Sequence, residues 1–458
     1  MSATHTSAAH TSAAHTSATH RSLTLTRLDE PNLQPDYSRL VIRSFVPTGE
    51  RILSIIDRIA ALPDEVIHAE LEQVISEFSA DHGDLVGRIK AHYAEAVTRL
   101  GEITAPRPSK GCIADQGPVP NSRALSPEGR LLAGAYFTSE YAFEATALFN
   151  PSIVAAPVQD TAAGTLRFIM SVRSVGEGHV SSISFRTGQI DTSGGVTIEP
   201  VKRTAVMGTQ KSGDGIRRIQ FDSHTHISER LLFPAAPEEQ NGIEDARFVR
   251  FARSDGSVRY YGTYTAYDGK NILPKIIETR DFLKFKMLPL SGGMTRNKGM
   301  ALFPRKIRGR YAMLSRVDGE SIYLMFSENL QIWNEGIKIA APRFPWEFMQ
   351  IGNCGSPIET PQGWLVLTHG VGSLRRYSIG ALLLDKEDPA KVKGRLALPL
   401  ISPGVRERTG YVPNVVYTCG AIINEGRLII PYGSADFSIA FITVDVNELM
   451  GRLCATDI

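Results

Sequence analysis

The sequence predicts an all-β fold, a five-bladed β-propeller, that follows an N-terminal α-helical extension. From about residue 149 onward, short apolar or alternating runs are separated by turns containing glycine, which is typical of strands joined in hairpins. One unit recurs in this region: a strand, a tight polar turn and a stronger strand. The units repeat about every fifty to sixty residues, as propeller blades do. The turn glycines with this spacing are Gly256, Gly309, Gly363 and Gly426, and Gly164 marks an earlier copy of the unit, outside the regular spacing.

Residues 1–22 precede the predicted fold and are expected to be a disordered, low-complexity tail. They consist largely of Ala, Thr, Ser and His, a composition that cannot bury an apolar core. The tail has no apolar segment of the kind found in a secretory signal peptide. Weak metal binding is the alternative interpretation, because histidines recur at a period of five: His5, His10, His15 and His20.

Residues 38–104 are predicted to form the helical extension. Apolar residues recur at helical spacing through residues 50–100, and Pro63 marks a turn between helices. The apolar faces of these helices must be buried, and a homo-oligomer formed through them is one expectation. Residues 105–148 are predicted to be a linker, rich in Pro, Gly and Ser in its first part, and an approach to the propeller. The propeller, as the catalytic domain, is expected to span residues 149–458.

The overall composition excludes several classes of protein. The chain has 50 basic and 48 acidic residues, so its net charge of +2 does not indicate a nucleic-acid binder. Its apolar runs are far shorter than the ~20 residues that cross a bilayer, so no membrane partner is expected. The cysteines form no CxxC pair and indicate neither a disulfide framework nor a zinc cluster. Reduced thiols favour a cytoplasmic protein. They are Cys112, Cys354, Cys419 and Cys454.

An acidic pair followed by a basic residue stands immediately before a predicted strand: Glu244, Asp245 and Arg247. An arginine two residues from an aspartate can hold a carboxylate or a substrate oxyanion through paired hydrogen bonds. A surface ion pair in a turn is the alternative, and such pairs contribute little to stability. The residues alone leave both interpretations open.

Basic residues near the ends of predicted strands form a second candidate site. His369 closes an apolar strand beside a glycine, Arg316 follows the strand at 311–314, and Lys298 stands in the pair Asn297-Lys298. The inner strands of a propeller converge on a central channel, so these cations are expected to meet in an anion pocket. The alternative for His369 is a purely structural histidine.

Several motifs occur in order along residues 150–450, and together they resemble glycoside hydrolase family 130, the inverting β-mannoside phosphorylases and related β-mannosidases. One such motif would be weak support, whereas this many in order are specific. The motifs are Glu244-Asp245-x-Arg247, Thr263–Tyr267, Asn297-Lys298 before Ala301–Pro304, Gly363–Leu365 before His369–Val371, Gly380–Asp385, Val412–Val416 and Tyr432–Asp436.

The resemblance implies a five-bladed propeller and a reaction. Asp245 matches the general acid of the family, which protonates the leaving glycosidic oxygen, in phosphorylases through a sugar hydroxyl. Inorganic phosphate is then nucleophile and co-substrate, an oligosaccharide with a β-mannoside linkage is the substrate, and α-mannose 1-phosphate is the product. No metal or organic cofactor is expected. Arg316, His369 and Lys298 match positions suited to phosphate. The positions implied to bind the sugar are Glu244, Arg247, Tyr267, Asn297, Asp436 and Tyr432.

Departures from the family pattern bear on phosphate binding. Gln350 stands where a basic residue is common, and no arginine follows the strand at 263–267, where Lys275 is the nearest cation. Fewer cations for phosphate leave open an inverting β-mannosidase, in which a second carboxylate, about 6.5–9.5 Å from the acid, activates water. Glu359 and Glu407 are the candidate bases.

Two further substitutions, Gly299 and Ala246, replace the usual Asp and Pro of the family motifs. A non-catalytic, carbohydrate-binding propeller is a third alternative. The retention of Asp245 with Arg247 argues against that alternative. We therefore expect an enzyme, either a glycoside phosphorylase, which is a glycosyltransferase acting on phosphate, or a glycoside hydrolase.

Overall fold

The computed structural model describes residues 23–104 and 125–454 and is built mainly of β-strands, with most helices near the N-terminus. The predicted tail at 1–22, Cys112 and the first part of the predicted linker lie outside the described residues. Within the described ranges, no helix is both long enough and apolar enough to cross a bilayer.

The predicted helices of the extension are present. Ile52 on the buried face of the first helix packs in one core with Leu132 on the fourth. The fourth helix was not predicted, because it has ten residues, two of them glycines, and so shows little helical periodicity. It begins where the Ser126 side chain accepts a hydrogen bond from the main-chain N–H of Gly129. The elements are β1 (Leu25–Leu33), β2 (Leu40–Ser44), α1 (Gly49–Ala60), α2 (Asp64–Phe78), α3 (Leu85–Thr104), α4 (Pro127–Tyr136) and β3 (Thr138–Ala142).

The remaining strands form successive antiparallel groups, which we name units 1 to 5; units 1 and 2 are joined in one sheet by a parallel pair between their strands at Ser181 and Gly242. Unit 1 contains β4 (Ala147–Ala155), β5 (Leu166–Val175), β6 (Ser181–Ile190) and β7 (Val196–Ile198). After β8 (Thr204–Ala205), unit 2 contains β9 (Thr209–Gly213), β10 (Ile216–Gln220), β11 (Gly242–Ala252), β12 (Val258–Tyr267), β13 (Ile272–Thr279) and β14 (Lys284–Pro289). Unit 3 contains β15 (Ala301–Leu302), β16 (Tyr311–Ser315), β17 (Ile322–Ser327) and β18 (Gly336–Ala340).

The last two units complete the described chain. Unit 4 contains β19 (Gln350–Asn353), β20 (Ile358–Thr360), β21 (Gly363–Val371), β22 (Tyr377–Leu384) and β23 (Val392–Arg395). Unit 5 contains β24 (Val416–Tyr417), β25 (Ile422–Asn424), β26 (Arg427–Ser434) and β27 (Ser438–Asp445). The helix α5 (Val446–Cys454) follows and buries Leu449, Met450 and Leu453.

The predicted turn glycines lie at one corresponding hairpin of each unit. They have positive φ angles, a conformation that glycine adopts without a Cβ clash. The hairpins are β4–β5 at Gly164, β11–β12 at Gly256, β15–β16 at Gly309, β20–β21 at Gly363 and β25–β26 at Gly426. The repeat seen in the sequence therefore corresponds to the structural unit.

Each unit shares a hydrophobic core with the unit before it and the unit after it. Unit 5 also packs against unit 1, where Leu148 and Phe168 lie in one core with Ile429 and Phe441. The N-terminal strand β1 pairs with β27 and so extends unit 5. The shared cores thus pass from unit to unit and return from the last unit to the first.

A buried ion network ties the extension to unit 1. The strand β2 pairs with β3 and β8, and Arg39 immediately precedes it. Arg39 pairs with Glu144, and Arg186 on β6 donates to both carboxylate oxygens of Glu144. All three side chains are buried. Removing one partner of a buried ion pair costs about 3–5 kcal/mol because the other charge is left unpaired, so loss of any one of these side chains is expected to destabilise the contact between the extension and unit 1.

Candidate active site

A cavity of about 250 Å³ is lined by residues from all of units 1 to 5 and from the segments between them. It brings together seven residues predicted from the sequence, although they are spread over almost two hundred positions. These are Glu244, Asp245, Arg247, Lys298, Arg316, His369 and Asp436. The other lining residues are Asn150, Arg173, Gln350, Arg375, Tyr377, Val415 and Tyr417.

Asp245 lies at an irregularity in the pairing of β11 with β12, where its φ angle is +54°. Its carboxylate accepts hydrogen bonds from Asn150 Nδ2 at 2.6 Å and from Arg173 Nη1 at 3.2 Å. Burial alone would raise the pKa of this carboxyl, but the charges of Arg173, Lys298 and Arg247 and the Asn150 hydrogen bond lower it to about 2. Asp245 is therefore ionised when the cavity contains no further anion.

Glu244 is held by cations on both sides. Arg173 Nη2 donates to Glu244 Oε1 at 2.8 Å, and Lys298 Nζ forms an ion pair with Glu244 Oε2. Arg173 thereby contacts Glu244 and Asp245 at once. Neighbouring carboxylates thus share the same cations, and a charge added to the cavity will redistribute these contacts.

Arg247 is 2% exposed, and each of its guanidinium nitrogens donates to the protein. The acceptors are the carbonyl of Cys354 at 2.6 Å, the carbonyl of Asp245 at 3.1 Å and the hydroxyl of Tyr417 at 2.9 Å. Arg247 therefore fixes the irregular backbone that presents Asp245. Its predicted contact with substrate remains a prediction.

Arg316 and His369 form the cationic side of the cavity. Arg316 Nη1 lies 2.9 Å from His369 Nε2, and because arginine can only donate, the histidine nitrogen accepts. Burial, followed by the charges of Arg316 and Arg247, lowers the pKa of His369 well below its usual value, so the ring is neutral. Arg316 Nε and His369 Nδ1 are buried without a hydrogen-bond partner among the described residues. Donors of this kind can bind an anion that enters the cavity.

The pKa of the Asp436 carboxyl is shifted in the opposite direction to that of Asp245. Burial raises the pKa of its carboxyl to about 7, and the nearby Asp245 and Glu244 add to this, although Arg173 and Arg375 oppose it. Near neutral pH, one buried carboxyl of the cavity is ionised while another still binds a proton. Separated pKa values of this kind are typical of sites that perform acid–base chemistry.

The backbone around the cavity is strained at several lining residues. Asn150, Asp245, Arg375 and Asp436 all have φ angles between +49° and +54°, a region that residues other than glycine rarely adopt. Such conformations persist only where the surrounding structure holds them, and they cluster at functional sites. The side chains of the cavity are therefore held in place before a ligand arrives.

We expect Asp436→Asn to raise the melting temperature more at pH 8 than at pH 5. Folding raises the pKa of this carboxyl from its ordinary 3.8 to about 7, so its contribution to stability is full below pH 3.8 and is lost as the pH rises through 7. Asparagine is neutral throughout and avoids this loss. Calorimetry at both pH values measures the difference, with Asp255→Asn at an exposed turn as the control. Equal shifts at pH 5 and pH 8 would contradict the prediction.

Three residues predicted to bind sugar lie outside the cavity lining. The hydroxyl of Tyr267 donates to the carbonyl of Gly269 at 3.0 Å, and Asn297 Nδ2 donates to the carbonyl of Val317 at 3.4 Å. Tyr432 is buried in the core shared by units 4 and 5. Their contacts with substrate remain predictions.

The two predicted bases are not brought to Asp245. Glu359 pairs with Arg305 at 2.9 Å and with Lys386 at 3.5 Å, and it lines a second cavity rather than the one that holds Asp245. Glu407 is buried and accepts a hydrogen bond from Arg27 at 3.0 Å. Neither residue lines the cavity that holds Asp245, and their role as the base of a hydrolase remains a prediction.

Several cavity residues were missed in the sequence. Arg173 is at the polar end of β5, in the first copy of the repeat, and that strand-end pattern was the signal that could have identified it. Asn150, Arg375 and Tyr417 gave no such signal. Lys275, the cation nearest to an expected arginine, instead pairs with Glu238 and Glu239.

A family model for glycoside hydrolase family 130, described as β-1,4-mannooligosaccharide phosphorylase, matches residues 200–454. A 1,2-β-oligomannan phosphorylase from Thermoanaerobacter sp. (strain X514) is 32% identical over 249 residues, which cover 53% of this chain and 79% of that protein. A β-1,4-mannooligosaccharide phosphorylase from Ruminococcus albus is 39% identical over 163 residues, which cover 32% of this chain and 49% of that protein.

Solved structures share the fold. The β-1,2-mannobiose phosphorylase from Listeria innocua, in complex with β-1,2-mannobiose, superposes with a TM-score of 0.51 at 21% identity, over 67% of this chain and 92% of that chain. A second structure has a TM-score of 0.50 at 20% identity, over 67% and 86% of the two chains. It comes from work stating that family 130 contains glycoside hydrolases that target β-1,2-mannosidic linkages in Candida mannan.

Proposed function

Because this chain belongs to glycoside hydrolase family 130, the β-mannoside phosphorylases, we propose that it cleaves β-mannosides by inverting phosphorolysis and releases α-mannose 1-phosphate. One observation carries this proposal: Asp245 lines the same cavity as Arg316 and His369, each of which has a buried donor without a hydrogen-bond partner among the described residues. An acid and an anion site are what phosphorolysis requires. The relatives named above act on β-1,2- and β-1,4-linked mannosides, and either linkage is a candidate for this chain.

Phosphate binding is expected to change the protonation of the acid. A phosphate held by Arg316, His369 and Lys298 adds negative charge close to Asp245. A nearby like charge raises the pKa of a carboxyl, so phosphate binding moves the pKa of Asp245 upward from about 2 and increases the fraction of Asp245 that carries a proton. The acid thus becomes competent when the nucleophile is present.

A phosphate oxygen attacks the anomeric carbon from the face opposite the leaving group, and the bond from that carbon to the glycosidic oxygen breaks. A hydroxyl of the mannosyl ring gives its proton to the leaving oxygen and receives the proton of Asp245. The products are a shortened sugar with a free hydroxyl and α-mannose 1-phosphate, with inverted configuration.

The cations favour phosphorolysis over hydrolysis. The sequence indicated few phosphate-binding cations because of Gln350 and the missing arginine near Lys275. Arg173 and Arg375 also line the cavity and add positive charge there. The proposed bases of the hydrolytic alternative lie elsewhere, which leaves phosphate as the better supported nucleophile.

We further propose that units 1 to 5 are the blades of a five-bladed propeller and that residues 149–458 form the catalytic domain. The return of shared cores from unit 5 to unit 1 supports this. Residues from all of the units also line both the site cavity and a second cavity of about 510 Å³. This is expected if the two cavities are the two openings of one central channel. The helical extension stands beside this domain as a separate element.

The test is to incubate the purified protein with β-1,2- and β-1,4-mannobiose, with and without inorganic phosphate. We expect mannose 1-phosphate to form only when phosphate is present, because phosphate is the nucleophile. Release of free mannose at the same rate without phosphate would identify a hydrolase. Measurable sugar binding without cleavage of either disaccharide would identify a non-catalytic binding protein.

A further inference from the structure

An aromatic pair that the mechanism does not use lies near the cavity. Tyr411 is 45% exposed and is in the loop before β24, and His179 is in the loop between β5 and β6. Their ring centroids are 5.6 Å apart with planes inclined by 28°, and the Tyr411 hydroxyl lies 3.1 Å from His179 Nδ1. The pair joins loops of unit 5 and unit 1 across 232 positions of the chain.

Both loops continue directly from residues of the cavity. The main-chain N–H of Val412 donates to the carbonyl of Ala435 at 2.8 Å, which places Tyr411 beside the turn that carries Asp436. Arg173 Nε donates to the hydroxyl of Ser181 at 2.9 Å, which ties the loop of His179 to the arginine that holds Asp245. These contacts place the aromatic pair beside the cavity but outside its lining, in a region that we call the border of the cavity.

The loop that carries Tyr411 is anchored by the buried Glu407. One carboxylate oxygen accepts from Arg27 Nη1 at 3.0 Å, and the other accepts from the main-chain N–H of Gly404 at 2.7 Å. The carbonyl of Glu407 accepts from the main-chain N–H of Asn414 at 2.7 Å. These bonds bracket Tyr411 on both sides, so its ring is held in place without a ligand.

Other exposed apolar side chains extend the same border. Leu374 is 88% exposed, has a φ angle of +54° and directly precedes Arg375, which lines the cavity. Phe437 is partly exposed and directly follows Asp436. Exposed apolar side chains next to polar cavity residues give the cavity a polar floor with an apolar rim.

The volume of the cavity points to what the rim binds. About 250 Å³ is below the range of about 300–1,000 Å³ in which pockets enclose a whole drug-sized ligand. The ring that is transferred and the phosphate must both reach Asp245, so the remaining part of the substrate extends over the rim.

We propose that Tyr411 and His179 form a platform that binds the sugar ring on the leaving side of the cleaved bond. This inference rests on the proposed function, because that function places the transferred ring inside the cavity. A tyrosine offers an apolar ring face and a polar tip, which suit the C–H face and the hydroxyl edge of a pyranose. The pair thus selects the leaving sugar, whereas the cations select phosphate.

The test compares Tyr411→Ala, Tyr411→Phe and the control Tyr37→Ala, which alters an exposed tyrosine outside the cavity lining. Calorimetric titration with β-mannobiose in phosphate-free buffer gives the dissociation constant, and titration with phosphate gives a second one. We expect Tyr411→Ala to weaken disaccharide binding by a few-fold to about tenfold, as for loss of an aromatic stacking contact, and to leave phosphate binding unchanged. Tyr411→Phe keeps the ring face and is expected to stay within about twofold of the wild type.

Disaccharide binding by Tyr411→Ala that equals that of Tyr37→Ala would overturn the platform. An equal loss of disaccharide and phosphate binding would also overturn it, because it would show a general disturbance of the cavity. If the disaccharide is hydrolysed in phosphate-free buffer, the proposed function fails. The KM for hydrolysis then replaces the dissociation constant in the same comparison, so the platform is still tested.

Discussion

The Asp245→Asn variant is expected to lose phosphorolysis by a factor of about 10²–10⁴, the contribution that a general acid makes. The asparagine keeps the shape of the side chain but has no carboxyl proton to transfer to the sugar hydroxyl. The measurement is the initial rate of mannose 1-phosphate formation at saturating β-mannobiose and phosphate. Calorimetric binding of β-mannobiose by the variant separates loss of chemistry from loss of binding.

The matched control for this variant is Asp255→Asn, which makes the same chemical change at an exposed turn. The control is expected to keep the wild-type rate. A rate for Asp245→Asn close to that of the control would show that another group supplies the proton. Asp436, whose pKa of about 7 makes it a proton carrier near neutrality, would then be the next candidate.

The Arg316→Gln variant is expected to raise the KM for phosphate by roughly 10- to 100-fold. Hydrogen bonds to charged groups contribute about 1.5–3 kcal/mol, and each 1.4 kcal/mol corresponds to a factor of ten. Glutamine keeps one amide donor but removes the charge and the paired N–H groups that suit phosphate. The KM for β-mannobiose is expected to change much less, because we propose that Arg316 binds the phosphate and not the leaving sugar.

The control for Arg316→Gln is Arg253→Gln, which removes a partly exposed arginine outside the cavity lining. Steady-state kinetics with each substrate varied in turn give both KM values. An unchanged KM for phosphate would remove Arg316 from the phosphate site. A change confined to the KM for β-mannobiose would place Arg316 in the sugar site instead.

The repeated hairpins could be predicted because their signal is local. Gly256 and Gly309 each mark a turn that needs a positive φ angle, and their spacing carries the period of the units. The meeting of polar residues from different units in one cavity could be predicted from the same repeat. Arg316 directly follows β16 and His369 lies near the end of β21, and the repeat predicted that such positions meet although 53 positions separate them.

Other features depend on contacts between distant parts of the chain, which local patterns do not record. The strand β1 adds to unit 5 by pairing Thr26 with Thr443, and nothing in the composition of β1 indicates that partner. Glu407 is a second residue whose contacts with distant parts of the chain could not be predicted from the local sequence. Its acidic side chain suggested a base, whereas its burial and its bonds to Arg27 and Gly404 make it the anchor of a loop.

The charge states of the carboxyls also could not be predicted from the sequence. Asp245 and Asp436 are the same residue type in similar short motifs, yet the pKa of one is about 2 and that of the other about 7. The difference arises because Arg173 and Asn150 bond directly to Asp245, whereas the pKa of Asp436 is set mainly by burial. The burial of each carboxyl and the three-dimensional placement of its hydrogen-bond donors and cations together decide which carboxyl is ionised.

Phosphorus NMR of the protein acting on a β-mannobiose in phosphate buffer tests the central claim most directly. Phosphorolysis predicts that a resonance of α-mannose 1-phosphate grows as that of inorganic phosphate declines, with one sugar phosphate formed for each bond cleaved. Complete cleavage of the disaccharide with an unchanged phosphate resonance would contradict the claim, because water would then be the nucleophile.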